Sequence, residues 1–216
     1  MFDYSVLIRI LVGLSLSTFF ISVIYFEYEQ ITCIVVYFIC MLEICTQKIN
    51  SLYSALILFG INVYVLFGLS CMYRVYLHEK YRIIFMITCT QLSDVIQYFM
   101  GRQFGSHHIG WVSPKKTYEG YGITLIILGM VGLILDILFR FTPSLFGLYI
   151  RICGIYGCFI EMVSIIILGA LGGILFSLVK RYLQIKDWSN LLGPHGGLLD
   201  RLDSIFLPAF YMYCLN

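Results

Sequence analysis

Basic and acidic side chains cluster near one end of a chain that is otherwise strongly apolar. The segment 177–203 reads SLVKRYLQIKDWSNLLGPHGGLLDRLD. Ionisable groups beside a bilayer are costly to place, so such a cluster indicates a functional site. Basic side chains bind phosphate oxygens, and neighbouring carboxylates bind a divalent cation that bridges phosphates. The segment therefore predicts nucleotide or phospholipid chemistry at a membrane surface. Its ionisable members are Lys180, Arg181, Lys186, Asp187, His195, Asp200, Arg201 and Asp203.

Two of these carboxylates have the spacing of a metal site. Asp200 and Asp203 are three residues apart, which places them on one face of a helix. Two adjacent carboxylates repel each other unless a cation or a proton lies between them, and Mg²⁺ held by one or two carboxylates and by substrate phosphates meets this need. Asp187 is a further ligand or orients Lys186. A solvated helix start, with acids favoured by the helix dipole, explains the pair equally well on its own. The PHGG sequence just before the pair favours the metal site.

The glycines of that PHGG sequence predict a turn that can approach a ligand closely. Gly196 and Gly197 follow Pro194 and His195, and glycine lets the backbone adopt conformations that other residues avoid. The N–H groups of such a turn can cradle a phosphate. His195 then donates to a phosphate or acts as a base. The alternative is that His195 only stabilises the turn through a hydrogen bond.

An earlier loop carries a second group of polar residues. Asp94, Tyr98 and Arg102 are each four residues apart, so they share one face of a helix. An Asp inside an apolar span needs a partner or an aqueous cavity. Lys115 and Lys116 follow a proline, which fixes two cations at a turn. On their own, these lysines are more typical of anchors at a membrane surface.

Composition places the chain in a membrane. Of its 216 residues, 60% are hydrophobic and 12% are charged, whereas about a quarter of a soluble domain is charged. The formal net charge of +2 is too small to indicate nucleic acid as a partner. The eight cysteines form no C-x-x-C pair, which predicts small apolar helix residues rather than structural disulfides or a zinc site.

The apolar stretches predict an all-α, polytopic helix bundle of about seven transmembrane helices, because a spanning helix needs about 20 mostly apolar residues. We expect a single integral-membrane domain over 1–216, with N-terminal helices in 1–80 and a catalytic half in 83–216. The first stretch is too long for a signal peptide and has no cleavage site, so we expect a retained helix. The predicted spans are 6–26, 31–47, 52–73, 83–101, 121–139, 152–178 and 204–215.

Two of the loops between these spans face one compartment. Loops 102–120 and 179–203 are separated by two spans, and most Lys and Arg residues fall on their side of the membrane. Because cytoplasmic loops carry the excess of Lys and Arg, we expect both loops to be cytoplasmic and to enclose a polar cavity. Each loop contains one tryptophan, Trp111 or Trp188, and tryptophan favours the membrane interface.

These segments resemble a known family. Residues 177–203 are similar to the signature of the phosphatidate cytidylyltransferases, which reads S-x-x-K-R, then K-D, then H-G-G-x-x-D-R-x-D. The other family stretch, an Asp in a helix followed by G-R-x-F-G and S-P-K-K-T-x-E-G, matches Asp94, 101–105 and 113–120. The chain departs from the family where a Gly-Asp pair and a Glu often precede the serine. The matching places hold Gly172, Gly173 and Phe176, so both acids are absent.

The resemblance implies a reaction in phospholipid biosynthesis. Family members convert CTP and phosphatidic acid to CDP-diacylglycerol and pyrophosphate with one or two Mg²⁺ ions, and a monovalent ion is also compatible. It further implies a bacterial inner-membrane enzyme whose active site faces the cytoplasm, in a bilayer and as a candidate homodimer, without nucleic acid. Alternatives are a related isoprenoid-lipid transferase, such as a CDP-archaeol synthase or a polyprenol kinase, or a non-catalytic membrane transporter or scaffold.

The resemblance also distributes roles among the residues. The predicted catalytic residues are Asp200, Asp203, Lys186 and His195. The predicted metal ligands are Asp187, Asp200 and Asp203, with Asp94 as a further candidate. The predicted substrate-binding residues are Arg102, Ser113, Lys115, Lys116, Ser177, Lys180, Arg181, Gly196, Gly197 and Arg201. Three other acids in or near apolar spans receive no role from the sequence, and these are Glu43, Asp136 and Glu161.

Overall fold

The computed structural model describes residues 29–47, 51–141, 157–193 and 196–215. Helices and one short hairpin make up this part of the chain. The helices are α1 (Glu29–Cys45), α2 (Leu52–His78), α3 (Lys80–Phe104), α4 (Tyr118–Phe141), α5 (Gly157–Tyr182), α6 (Leu199–Leu202) and α7 (Phe206–Cys214). The strands are β1 (His108–Ile109) and β2 (Ser113–Thr117), which pair antiparallel between α3 and α4.

The protein is an integral membrane protein, and four of its described helices, α2 to α5, are long and apolar enough to cross a bilayer. The predicted class of helical membrane bundle is confirmed, but the count of seven spans is not. Helix α1 has 17 residues and α7 has only 9. At about 1.5 Å per residue, α7 is roughly 14 Å long, which is under half of a hydrocarbon core of about 30 Å. The predicted span 6–26 lies outside the described residues, as does the start of span 152–178.

Helices α4 and α5 pack closely because one carboxylate and one glycine allow it. The Asp136 carboxylate of α4 accepts hydrogen bonds from the backbone N–H groups of Cys158 at 2.7 Å and Phe159 at 3.1 Å. These donors lie in the first turn of α5 and have no partner within the helix. A Cβ at Gly132 would lie 2.8 Å from the Phe159 Cα, so glycine lets the backbones approach. Asp136, which the sequence left without a role, therefore joins two spanning helices.

The hairpin is fixed to α3 by a threonine in a pocket of glycines. Thr117 is fully buried, and its Oγ1 accepts a hydrogen bond from the Gly120 N–H at 3.2 Å. A Cβ at Gly101 would lie 2.8 Å from that Oγ1, and one at Gly105 would lie 2.5 Å from the Thr117 Cγ2. The glycines of the G-R-x-F-G and S-P-K-K-T-x-E-G segments thus make room for Thr117. The buried Thr117 in turn sets the position of its neighbour Lys116.

Aromatic side chains fill the core between α2, α5, α7 and the segment after α5. Phe176 lies 5.7 Å from Tyr64 and 6.4 Å from Trp188, measured between ring centroids. Trp188 is 1% exposed, so the prediction that it marks the membrane interface is wrong; it packs in the core against Phe176. Trp111, at the tip of the hairpin, is 71% exposed, as expected of an interfacial residue.

The cysteine prediction is wrong at one position. Cys158 is disulfide-bonded in the structure. The apolar surroundings of a cysteine describe its packing and not its oxidation state, so composition alone gave no signal for this bond. The other cysteines among the described residues are free, and Cys40, Cys71 and Cys89 are buried in helices as expected.

A buried ion pair joins α3 and α5 near their N-terminal ends. The polar loops follow the C-terminal ends of the same helices. Arg82 Nη2 lies 2.7 Å from Glu161 Oε1, and both side chains are almost fully buried. Arg82 is in the first turn of α3, twelve residues or about 18 Å before Asp94 along the helix. Glu161, also unassigned by the sequence, therefore has a structural role distant from the polar loops.

We expect Glu161→Gln to destabilise the protein by about 3 kcal/mol, because removing one member of a buried pair leaves the other charge without this partner. The thermal unfolding of detergent-solubilised protein measures the effect. The double variant Arg82→Met with Glu161→Met is the control, because it removes both charges and should recover most of the loss. A single variant as stable as the wild type would contradict the assignment.

Candidate active site

The C-terminal end of α5 and the segment after it are joined by one carboxylate. Lys180, in the last turn of α5, donates from Nζ to Asp200 Oδ1 at 2.7 Å. Asp200 Oδ2 accepts hydrogen bonds from the backbone N–H groups of Trp188 at 2.8 Å and Gly197 at 2.9 Å. Three donors therefore hold Asp200 in place. They attach Trp188 and Gly197 to the end of α5. The described residues 187–193 and 196–200 are hereafter called the active-site loop.

The backbone of a second acidic residue, Asp203, lies beside this loop and against the glycines of α5. A Cβ at Gly172 would lie 2.7 Å from the carbonyl oxygen of Asp203, and a Cβ at Gly173 would lie 3.2 Å from Lys116 Nζ. Ser204 donates from Oγ to Asp94 Oδ2 at 3.3 Å. The glycine pair thus forms a flat surface on which Lys116 from the hairpin and Asp203 meet, with Asp94 of α3 alongside.

Electrostatics shows that these groups act on one another. Burial raises the pKa of the Asp203 carboxyl to about 6, Lys180 and Lys116 oppose the rise, and Asp94 and Asp200 add to it. Burial alone would lower the pKa of the Lys116 ammonium, but Asp94, Tyr121 and Asp203 outweigh it and the pKa is raised. The Lys116 charge is therefore retained in an enclosed site that contains more than one acid.

Both polar loops contribute to this site. Arg181 donates from Nε to the Val112 carbonyl at 3.3 Å and from Nη1 to the Ile185 carbonyl at 3.3 Å, which ties α5 to the hairpin. Lys116 Nζ also lies 5.7 Å from the centre of the Tyr121 ring, a cation–π distance. The sequence predicts that the two loops share a compartment, and the structure brings them into contact.

Other predicted residues lie around this centre at varying exposure. Ser177 donates from Oγ to the Gly173 carbonyl at 2.7 Å, within its own helix. Gly196 has a φ of 81°, and a Cβ there would lie 2.9 Å from Asp200 Oδ2 and 3.4 Å from Asp187 Oδ1. Both carboxylates therefore lie close to Gly196. Lys186 is exposed beside it.

The remaining predicted residues are placed by their elements. Ser113 and Lys115 lie on β2, but the Lys115 side chain is outside the described part of the structure. Arg102 is exposed in the last turn of α3, and Arg201 lies on α6 next to Asp200. His195 is outside the described residues, so its predicted role stays a prediction.

The sequence did not predict that Glu43 binds the active-site loop. Glu43 of α1 is 4% exposed and accepts hydrogen bonds from the active-site loop. The sequence signal was present, since an acid in an apolar span needs a partner. Its partners are backbone N–H groups about 150 residues away, and a sequence pattern does not identify such donors.

The donor set is compatible with Mg²⁺ at Asp203 and Asp94. Mg²⁺ is typically held by one or two carboxylates together with substrate phosphates. Within the described part of the chain, no group of three or more His, Cys, Asp or Glu side chains is arranged to hold a metal ion by itself. Two acids on neighbouring elements therefore fit a metal that is bound with the substrate. The oxygens of Asp200, by contrast, are directed at Lys180 and at backbone donors.

Comparison with known proteins is consistent with this geometry. The sequence model of the cytidylyltransferase family matches residues 3–216. The chain belongs to the cytidylyltransferase family. Its two polar loops, the Asp94 helix and the α5 glycines all lie within the matched region.

Several curated members of the family are similar to the chain. A phosphatidate cytidylyltransferase of Aquifex aeolicus is 33% identical over 137 residues, which are 62% of this chain and 47% of the relative. One from Chlamydia pneumoniae is 32% identical over 185 residues, 77% of this chain and 57% of the relative. One from Mycobacterium bovis is 38% identical over 125 residues, 57% of this chain and 37% of the relative. The chain spans about half the length of the curated relatives it matches.

We expect Gly172→Ala to lower activity at least 10-fold, because the new methyl group would lie 2.7 Å from the Asp203 carbonyl and displace that residue. Initial-rate assays on folded, purified protein measure the effect. The matched control is Gly60→Ala in α2, where a Cβ would meet no atom within 4 Å. Equal activities for the two variants would mean that this close approach does not position Asp203.

The stability of the metal-free protein should fall as pH rises from about 4 to about 6. Burial raises the pKa of the Asp203 carboxyl from its ordinary 3.8 to about 6, so over this range the folded state binds the extra proton and the unfolded state has lost it. The stabilisation is complete below the lower value and is lost through the upper one. Unfolding in chelator at several pH values measures this trend. Asp203→Asn should lack that part of the pH dependence, and an identical pH dependence in the variant would refute the assignment.

Proposed function

We propose that this protein catalyses the reaction of CTP with phosphatidic acid to give CDP-diacylglycerol and pyrophosphate. The single observation that supports it most is the meeting of Asp203, Asp94 and Lys116 on the glycine face of α5, at the end of membrane-spanning helices. Both substrates are phosphate-rich anions and one is anchored in the lipid. A basic site at the boundary of the bilayer suits such a pair.

The residues of the site would act mainly by positioning and by compensating charge, as in other phosphoryl-type transfers. A phosphate oxygen of phosphatidic acid attacks the α-phosphorus of CTP, and pyrophosphate leaves. Lys116 provides a charge that is retained despite burial and offsets the negative charge that develops there. Lys186 is exposed beside the loop and can approach the triphosphate. Arg102 and Arg201 are further phosphate-binding candidates.

Asp203 and Asp94 would hold Mg²⁺, which neutralises phosphate charge and orients the pyrophosphate leaving group. Asp200 and Lys180 would fix the active-site loop that leads into Asp203, because Lys180 Nζ lies 2.7 Å from Asp200 Oδ1. Asp187 lies close to Asp200 across Gly196 and remains a candidate for a second ion.

We further propose that the site faces the cytoplasm from a bacterial inner membrane. CTP is a cytoplasmic nucleotide, and the Lys and Arg residues of both polar loops lie on the side that the positive-inside rule assigns to the cytoplasm. Assembly as a homodimer stays a prediction. The similar curated relatives carry the name phosphatidate cytidylyltransferase, which supports the choice of lipid substrate.

Purified protein in detergent micelles should release pyrophosphate from CTP only when phosphatidic acid and Mg²⁺ are both present. Asp203→Asn should lower kcat at least 100-fold, comparable to losing one preorganised charge-stabilising group. Asp136→Asn is the matched control, because that acid caps α5 away from the site and its loss should affect stability more than kcat.

Two outcomes would overturn the proposal. One is pyrophosphate release that does not depend on phosphatidic acid, or that occurs only with an isoprenoid phosphate. The other is an Asp203→Asn variant that turns over at the wild-type rate. Replacing phosphatidic acid by a polyprenyl phosphate or archaetidic acid in the same assay separates the related lipid transferases.

A further inference from the structure

Glu43 of α1 is a buried acid whose carboxylate accepts three hydrogen bonds from the active-site loop. Its Oε1 accepts from Ser189 Oγ at 2.7 Å and from the Leu198 N–H at 2.7 Å, and its Oε2 accepts from the Leu199 N–H at 2.8 Å. A Cβ at Gly197 would lie 2.7 Å from Glu43 Oε1, so the loop backbone lies directly against the carboxylate. The Glu43 carboxylate is therefore held by three hydrogen-bond donors of the loop.

The loop needs this carboxylate to satisfy its own backbone. A buried N–H group without an acceptor is strongly unfavourable, and the donors of Leu198 and Leu199 stand at the start of α6, where no preceding helical turn can accept them. Gln47 reinforces the attachment by donating from Nε2 to the Trp188 carbonyl at 2.5 Å. The end of α1 thus holds the loop near both of its ends.

The bonds to Glu43 are continuous with those that place the site residues. Three consecutive N–H groups are divided between two acids. Gly197 donates to Asp200 Oδ2, whereas Leu198 and Leu199 donate to Glu43. A change in the backbone at these residues would rotate Asp200 away from Lys180. It would also move Asp203, which lies one helical turn further on.

We propose that Glu43 is a positioning residue for the active site, which sets the loop that carries Asp200 and leads into Asp203, without contacting substrate. No motif of the two polar loops includes it, and it places a determinant of activity in the first described helix. The kinetic part of this inference rests on the proposed function, while the attachment of the loop to α1 does not.

Three variants of this contact should give graded effects. Glu43→Gln retains the size of the side chain but presents an amide N–H₂ to one of the backbone donors, so we expect kcat to fall about 10- to 100-fold, as for a small misplacement of reacting groups. Glu43→Asp keeps both acceptor oxygens on a shorter stem and should recover part of the loss. Ser189→Ala removes one of the three hydrogen bonds to Glu43 and should cost less than Glu43→Gln.

The matched control is Glu161→Gln, which also neutralises a buried glutamate. Glu161 lies 19 residues before Lys180 on α5, or about 28 Å along the helix. This control should lower the unfolding temperature and leave kcat per folded molecule within about twofold. Glu43→Gln should show the opposite combination, with a large loss of kcat and a smaller change in unfolding temperature.

Backbone amide hydrogen exchange of the full chain in micelles, read by mass spectrometry, tests the attachment itself. Glu43→Gln should increase exchange in residues 188–199 and leave α3 and α4 unchanged. Unchanged exchange in 188–199, or kcat within twofold of wild type, would overturn the inference. Increased exchange in every helix together with a lowered unfolding temperature would also overturn it, because Glu43 would then stabilise the fold as a whole.

The two proposals fail in different ways. If the wild-type protein releases no pyrophosphate from CTP and phosphatidic acid, the proposed function fails. The exchange measurement still decides whether Glu43 holds the loop. If the wild type is active and Glu43→Gln is equally active, the inference fails and the proposed function stands.

Discussion

The need to compensate buried charge at the end of a membrane-spanning bundle organises this protein. An isolated ion in a medium of low dielectric constant is very unfavourable, so each acid must be met by a cation or by several N–H donors. Asp200 is met by Lys180 and two backbone donors, and Glu43 by one hydroxyl and two backbone donors. These two acids are satisfied by the protein itself. Asp203 and Lys116 instead share an enclosed site with Asp94, which is where a phosphate and its metal can complete the balance of charge.

The glycines of α5 give this balance its geometry. Side chains at positions 172 and 173 would occupy the space taken by the Asp203 carbonyl and the Lys116 ammonium. The absence of a side chain at both positions leaves room for the backbone of Asp203 and for the hairpin lysine to approach the helix. Packing and electrostatics are thus set by the same short stretch of helix.

Much of this arrangement could be predicted from the sequence, because charge in an apolar segment is a strong signal. The cost of an ionisable group at membrane depth singled out Asp94 and the 177–203 segment, and hydropathy located α2 to α5 to within a few residues at most ends. The spacing of Asp200 and Asp203 predicted a helical segment, and Asp200 lies on α6 with Asp203 directly after it. It did not show that Asp200 faces Lys180, because spacing describes one element and not the element opposite.

What the sequence did not provide are partners distant in the chain. The contacts of Glu43 with residues 189–199, of Arg82 with Glu161 and of Asp136 with the first turn of α5 each join elements whose relative rotation no local pattern determines. Trp188 was misplaced for a related reason, since its type favours an interface but the aromatic cluster around Phe176 offered it a better site. The length of α7 was also overestimated, because an apolar run that packs inside a bundle has the same composition as one that crosses a bilayer.

Thr117 packs between the glycines of α3 and α4 and separates the hairpin into an exposed tip and a fixed base. On one side of it, Trp111 and Gly110 project from the tip and can follow the undulations of a lipid surface. On the other side, Lys116 precedes Thr117, which is buried against the glycines and is therefore fixed in position. We therefore expect movement of the exposed tip to be poorly transmitted to the Lys116 ammonium, which is held beside α5.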